Sequence, residues 1–211
     1  RQAIRDILAA ANFVDELLGP EDVASAQGLL SVIEKKPEVL LQWDEFGRVL
    51  RTTGNAVNSP FLFHIGTVLL RLYTAAGGAF TGVAYSKDWK FVSQPHLAIW
   101  ATTTPEDFFE SLNDESISNG LVSRLLVFFA REKMPKLRRP EQVQPDSEVV
   151  EWLSLRRDQV VGKTKVYVYT EEAESIISDF ANFCDEWMTK CDERFAPIFV
   201  RATEQARKLA L

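Results

Sequence analysis

The sequence predicts an α/β fold in which buried strands are joined by crossover helices. Three observations predict it. Val39–Trp43 and His96–Ala101 are short apolar runs set off by proline or polar residues, the pattern of strands covered on both faces. Segments with apolar residues at helical spacing lie before and after them. A third pair of β-type runs, Ala79–Tyr85 and Trp89–Val92, is joined by Ser86-Lys87-Asp88 and reads as an inserted hairpin.

Taken in order, residues 1–18 read as a helix, with Ile4, Ile7, Leu8 and Ala11 on one face and Gly19-Pro20 as its stop. Ala24–Lys36 reads as a second helix, ended by Pro37. The first buried strand follows, then one or two helical turns at Phe46–Leu50. Thr52–Pro60 is a loop by its Gly, Asn and Pro content. Phe61–Ala76 is a long apolar helix closed by Gly77-Gly78. After the hairpin and the second buried strand, Thr104 suits a helix N-cap and Pro105 the first helical position. Glu106 and Asp107 complement the helix dipole there. Leu125–Ala130 is expected to be a strand, Ser147–Val160 a helix and Thr164–Thr170 a strand. Thr170 should cap a long final helix that Pro197 kinks or splits.

This order divides the chain into an α/β core at 1–131, a basic, proline-containing linker at 132–146 and a helical region with one short strand at 147–211. Arg1 and Leu211 each fall inside a helical pattern, so the stretch is expected to be a fragment. The 211 residues are 46% hydrophobic and 26% charged, enough to bury a sizeable core. The net charge of −6 gives no global basic field for nucleic acid, although local basic loops can still grip a strand. Cys184 and Cys191 lie seven residues apart on one helix face, too far to bond, and fit a reducing cytoplasm. Two histidines make a zinc site a poor expectation. No apolar run reaches membrane-spanning length, and no signal-peptide pattern opens the chain.

The chemistry concentrates at strand ends. Asp44-Glu45 directly follows the first buried strand, and in an open α/β sheet that end faces the ligand crevice. An apolar strand followed by two carboxylates is the Walker B pattern. Asp44 would hold Mg²⁺ directly or through water, and Glu45 would polarise an attacking water. The alternative is a pair of solvated carboxylates where a strand leaves the core. Thr102-Thr103-Thr104 ends the second buried strand, where Thr102 or Thr103 would suit a polar sensor of the nucleotide and Thr104 the helix cap. Arg124 lies amid Leu121, Val122, Leu125 and Leu126 and needs a partner. That partner is either an ion pair within the chain or, for an arginine finger, a neighbouring subunit's nucleotide. Lys87, Trp89 and Lys90 put charge and an aromatic face at the hairpin tip, the ingredients for holding a single strand. Hydrolase-elbow, zinc-protease, Cys-x-x-Cys and dinucleotide motifs are absent, and so is a Gly-x-x-x-x-Gly-Lys-Ser/Thr phosphate loop.

Four blocks carry a resemblance: Gly19–Leu29, Leu41–Arg48, Thr102–Phe108 and Ser118–Leu125. Together they resemble a bacterial and phage family of P-loop (RecA/AAA-like) ATPases, often linked to a primase module and helicase-like. The resemblance covers about residues 1–131 and implies a core lacking its phosphate-loop strand. It also implies ATP and Mg²⁺ as cofactors, with Asp44 for the metal, Glu45 for the water, Thr103 as sensor and Arg124 as finger. The implied activity is that of a phage- or prophage-type DNA motor: a replicative helicase, acting as a homo-oligomeric ring on single-stranded DNA. Three rivals remain: a P-loop motor for packaging or defence, a non-enzymatic scaffold that kept the fold and lost the chemistry, and an unrelated α/β protein in which the motifs coincide by chance.

Overall fold

β1 (Glu38–Trp43) is the element on which the rest is packed. Its alternate residues Val39, Leu41 and Trp43 are buried in the main core, with Leu41 fully inaccessible. Leu40, on the opposite face, packs against a smaller cluster around Leu8, Ala11 and Phe13. A strand buried on both faces reads as a continuous apolar run, which is why the sequence exposes it. The computed structural model describes residues 1–53, 60–82, 91–112, 117, 119–130, 144–160, 168–193 and 195–210.

The fold is mixed α/β. β1 pairs in parallel with β4 (His96–Ala101), from Glu38 opposite His96 to Trp43 opposite Ala101. On the other edge of β1, Leu18 forms a single parallel bridge with Leu40, and the Gly19 N–H donates to the Leu40 carbonyl at 2.9 Å. A methyl group on Gly19 would lie 2.5 Å from Leu41 Cδ2 and 2.7 Å from Val39 Cγ2, so this close approach to β1 requires glycine. β2 (Ala79–Thr81) and β3 (Phe91–Ser93) form the expected antiparallel pair. The hairpin tip with Lys87, Trp89 and Lys90 lies outside the described residues.

Helices cover the sheet. α3 (Ala26–Lys35) is capped by Ser25, whose hydroxyl accepts the Gly28 N–H at 3.1 Å, and it buries Leu29 and Ile33 completely. α5 (Pro60–Ala75) adds Ile65, Val68, Leu69 and Leu72 to the same core. α4 (Phe46–Thr53) packs between α5 and α6 (Pro105–Ser111). α7 (Ser147–Val160) sets Val150 and Leu153 against the Leu8 cluster. α8 (Glu171–Lys190), α9 (Ala196–Val200) and α10 (Ala202–Leu209) pack on one another. α10 also reaches the core, where Gln205 Nε2 donates to the Ser123 carbonyl at 2.7 Å and Lys208 Nζ sits 3.5 Å from the Tyr73 ring centre.

Four expectations are corrected. β4 is not covered on both faces: Leu97 and Ile99 are half-buried, whereas His96, Ala98, Trp100 and Ala101 are exposed, so only one face meets the core. Residues 1–18 are two helices, α1 (Gln2–Ala10) and α2 (Val14–Leu17), because Asn12 adopts φ +58° and closes α1. The Phe13 N–H donates to the Leu8 carbonyl and the Asn12 N–H to the Ala9 carbonyl, while Phe13 and Leu8 share a cluster; this is a Schellman stop with asparagine in place of glycine. Leu125–Ala130 is not a strand. No described strand pairs with it, and Val127 and Phe128 are exposed. The final helix ends at Lys190, well before Pro197, which instead opens α9. The expected strand at Thr164–Thr170 falls mostly outside the described residues, and Val168–Thr170 is not strand.

Candidate functional site

The parallel ladder between β1 and β4 runs one step past both strands. The Thr102 N–H donates to the Trp43 carbonyl at 3.0 Å, and the Phe46 N–H to the Thr102 carbonyl at 2.9 Å. Asp44 and Thr102 therefore emerge side by side at the carboxyl ends of adjacent strands. The Thr102 hydroxyl donates to Asp44 Oδ1 at 2.7 Å. The Glu45 N–H donates to the same oxygen at 3.0 Å. These two bonds, the hydroxyl first, hold the Asp44 carboxyl below the usual aspartate range, with a smaller contribution from the Arg1 guanidinium.

Glu45 has φ +52°. A side-chain-bearing residue in the left-handed region costs about 1–2 kcal/mol. The turn carries the chain directly from β1 into α4 and sends the Glu45 side chain outward, where it pairs with Arg48 at 2.7 Å. Thr103 does not join Asp44. Its hydroxyl accepts the Gly47 N–H at 3.2 Å and so ties α4 to the end of β4. Thr104 caps α6 as expected, accepting the Asp107 N–H at 3.1 Å with Pro105 next to it.

Behind Asp44 lies a network that the sequence reading did not find. Gln42 is 1% exposed, and its side chain accepts from Arg5 Nε at 3.1 Å and donates to the Arg1 carbonyl at 3.4 Å. Arg1 pairs with Asp44 at 3.4 Å and with Glu21 at 3.2 Å, and Arg5 also pairs with Glu21. Arg5, more than Arg1, holds the Glu21 carboxyl below its ordinary range. The available signal was Gln42 itself, a polar residue inside an apolar strand that must find partners when buried.

Arg124 sits elsewhere, at the end of a 3₁₀ turn (Val122–Arg124). Its Nη1 donates to the Gly120 carbonyl at 2.7 Å, and its guanidinium lies 5.2 Å from the Tyr73 ring centre. Its Nε and the Tyr73 hydroxyl are buried without hydrogen-bond partners among the described residues. Desolvation, followed by the nearby Arg201, lowers its pKa from the ordinary arginine value. None of its contacts is with Asp44, Glu45, Thr102 or Thr103.

Among the described residues no group of three or more His, Cys, Asp or Glu side chains converges as a metal cage. One carboxylate at a strand end still suits Mg²⁺, which takes one or two protein oxygens and leaves its other positions to water and substrate phosphate. Asp44, anionic and exposed, has that character, with one oxygen held by Thr102 and the other facing Arg1. A depression lined by Glu34, Pro37, Phe91, Val92 and Ser93 is at the amino end of β1, opposite Asp44. No described helix is long and apolar enough to cross a membrane. Compared with known proteins, the chain matches no family model, no curated protein and no solved structure.

Proposed function

We propose that this chain is part of the ATP-hydrolysing core of a P-loop (RecA/AAA-like) motor acting on single-stranded DNA, in the manner of a ring helicase. The observation that supports this reading most is the Asp44–Thr102 hydrogen bond at the carboxyl ends of neighbouring parallel strands. In such an enzyme one strand end supplies the carboxylate for Mg²⁺ and the next a hydroxyl for the terminal phosphate or attacking water. Thr102 takes the sensing role in place of Thr103, because the Thr103 hydroxyl is engaged by Gly47. Asp44 would hold Mg²⁺, which would supply charge neutralisation for phosphoryl transfer. Glu45 accepts the proton of the attacking water once it leaves Arg48. That pair is exposed at both partners and worth about 0–1 kcal/mol, so it opens readily. The finger role of Arg124, the DNA contact at Lys87, Trp89 and Lys90, the ring and the primase module rest on the resemblance and on sequence pattern.

A second reading has its own observation. Arg1 engages Asp44 and Arg48 engages Glu45, as a scaffold that kept the fold and lost the chemistry would have them. ATP binding and turnover by the native polypeptide that contains these 211 residues separate the two. The motor reading expects Mg²⁺-dependent hydrolysis. Glu45→Gln should abolish it while sparing ATP binding, and Asp44→Asn should weaken the Mg²⁺ dependence. Turnover undiminished by Glu45→Gln overturns the role of Glu45. A wild-type polypeptide that neither binds nor hydrolyses ATP establishes the scaffold.

A further inference from the structure

α8 carries two apolar faces. One, with Ile177 and Cys184, is buried. The other consists of Ile176, Phe180, Phe183 and Trp187, which are 63, 37, 52 and 46% exposed. Their spacing of four, three and four residues covers 11 residues in three turns, about 3.7 per turn, and keeps all four in one narrow band along the helix. The rings form a continuous row, with centres 6.3 Å apart from Phe180 to Phe183, 6.0 Å from Phe183 to Trp187 and 6.2 Å from Trp187 to Phe199 of α9. A contiguous exposed band of this kind marks an interaction surface, whereas scattered apolar residues do not. Anchors at i, i+4, i+7 and i+11 on one helix form the stripe against which a second helix packs, so the occupant it fits is a helix.

Charge selects which helix. The side of the band away from the chain's own packing carries Glu172, Asp179 and Glu186, all exposed. The cation on that side, Lys190, is paired with Glu186 at 3.1 Å. Phosphate backbones and anionic membranes are repelled by such an edge. A second copy of α8 laid antiparallel on the first would set acidic flank against acidic flank, which is disfavoured. We propose that the Ile176–Trp187 band docks an amphipathic helix of another polypeptide, one that carries lysine or arginine beside its apolar seam.

The test is calorimetric titration of the protein with a synthetic amphipathic helix of leucine and lysine, against the same peptide with glutamate for every lysine. The lysine peptide should bind at one site per chain and the glutamate peptide should not. Phe183→Glu and, separately, Ile176→Glu should each weaken binding roughly tenfold or more, the effect of losing a central apolar anchor. Both variants make the protein more acidic, so a merely electrostatic attraction would strengthen. Asp179→Lys combined with Glu186→Lys should weaken binding by removing the complementary charge. Far-UV circular dichroism checks that each variant stays helical. The proposal is overturned if both glutamate variants bind as wild type does, or if the two peptides bind equally. It is also overturned if sedimentation shows that the wild-type chain dimerises through this band and Ile176→Glu makes it monomeric.

Discussion

Thr102, at the end of β4, donates its hydroxyl to the carboxylate of Asp44, at the end of β1, over 2.7 Å. This bond is the largest influence lowering the Asp44 pKa. Thr102→Val should therefore raise the pH at which Asp44 titrates, followed by carboxyl carbon NMR, while Thr102→Ser should leave it near wild type. An unchanged titration in Thr102→Val would transfer the effect to the Glu45 N–H and Arg1.

Asp44, Glu21 and Glu174 all titrate below the ordinary carboxylate range in the folded chain, the last because Arg207 grips both of its oxygens at 3.0 and 2.8 Å. A carboxyl with a depressed folded-state pKa stabilises the fold above its unfolded pKa. That contribution is lost as pH falls through the folded value. Urea midpoints should therefore be flat near neutrality and fall in the acid range beneath that of free carboxylates. Glu174→Gln should flatten the acid limb without altering the neutral plateau by more than the small worth of an exposed pair.

Gly47, in the first turn of α4, is pressed against Thr103 and the first turn of α6. A methyl group there would lie 2.8 Å from Thr103 Oγ1, 2.8 Å from Asp107 Cβ and 3.0 Å from the Asp107 carbonyl. Gly47→Ala should destabilise the protein by about 1–3 kcal/mol, the usual penalty of overpacking. Denaturant unfolding measures it. Because the same residue's N–H holds Thr103, the change should also shift the amide resonances of Thr102–Thr104.

Leu41 is fully buried at the centre of β1, in contact with no solvent. Leu41→Ala should cost about 2–5 kcal/mol by lost transfer energy and the cavity left behind. A cost under about 1 kcal/mol would mean that the surrounding side chains collapse into the space.

Thr104 accepts the Asp107 N–H at the start of α6. Thr104→Ala should cost about 1 kcal/mol, and Thr104→Asp should recover most of it. Thermal unfolding compares the three proteins.

The parts of this structure that sequence reveals are those decided locally. The apolar runs at 39–43 and 96–101 are strands because each is short, β-prone and bounded, and Thr104-Pro105 announces α6 by capping chemistry alone. The break at Asn12 was hidden because apolar periodicity continues through Val14 and Leu17, and the left-handed turn depends on Phe13 folding back onto Leu8. Leu125–Ala130 misled for a different reason: an apolar run looks the same whether or not another strand lies beside it. Thr102 and Thr103 could not be separated before the register of β4 against β1 was known, since a shift of one residue exchanges their surroundings. The Arg1–Arg5–Gln42–Glu21 network joins segments far apart in the chain, and only the polar Gln42 inside β1 hinted at it.

The parallel pairing of β1 with β4 also governs how the molecule folds. Each ladder pair joins residues 58 apart, as with Glu38 and His96 (96 − 38 = 58). The sheet's hydrogen bonds therefore form only after a long loop has closed, whereas α3 and α5 can begin from neighbouring residues. Closure entropy grows slowly with length, about 0.6 kcal/mol for each doubling. Residues inserted between β2 and β3 should thus slow the search while leaving the Asp44–Thr102 register intact.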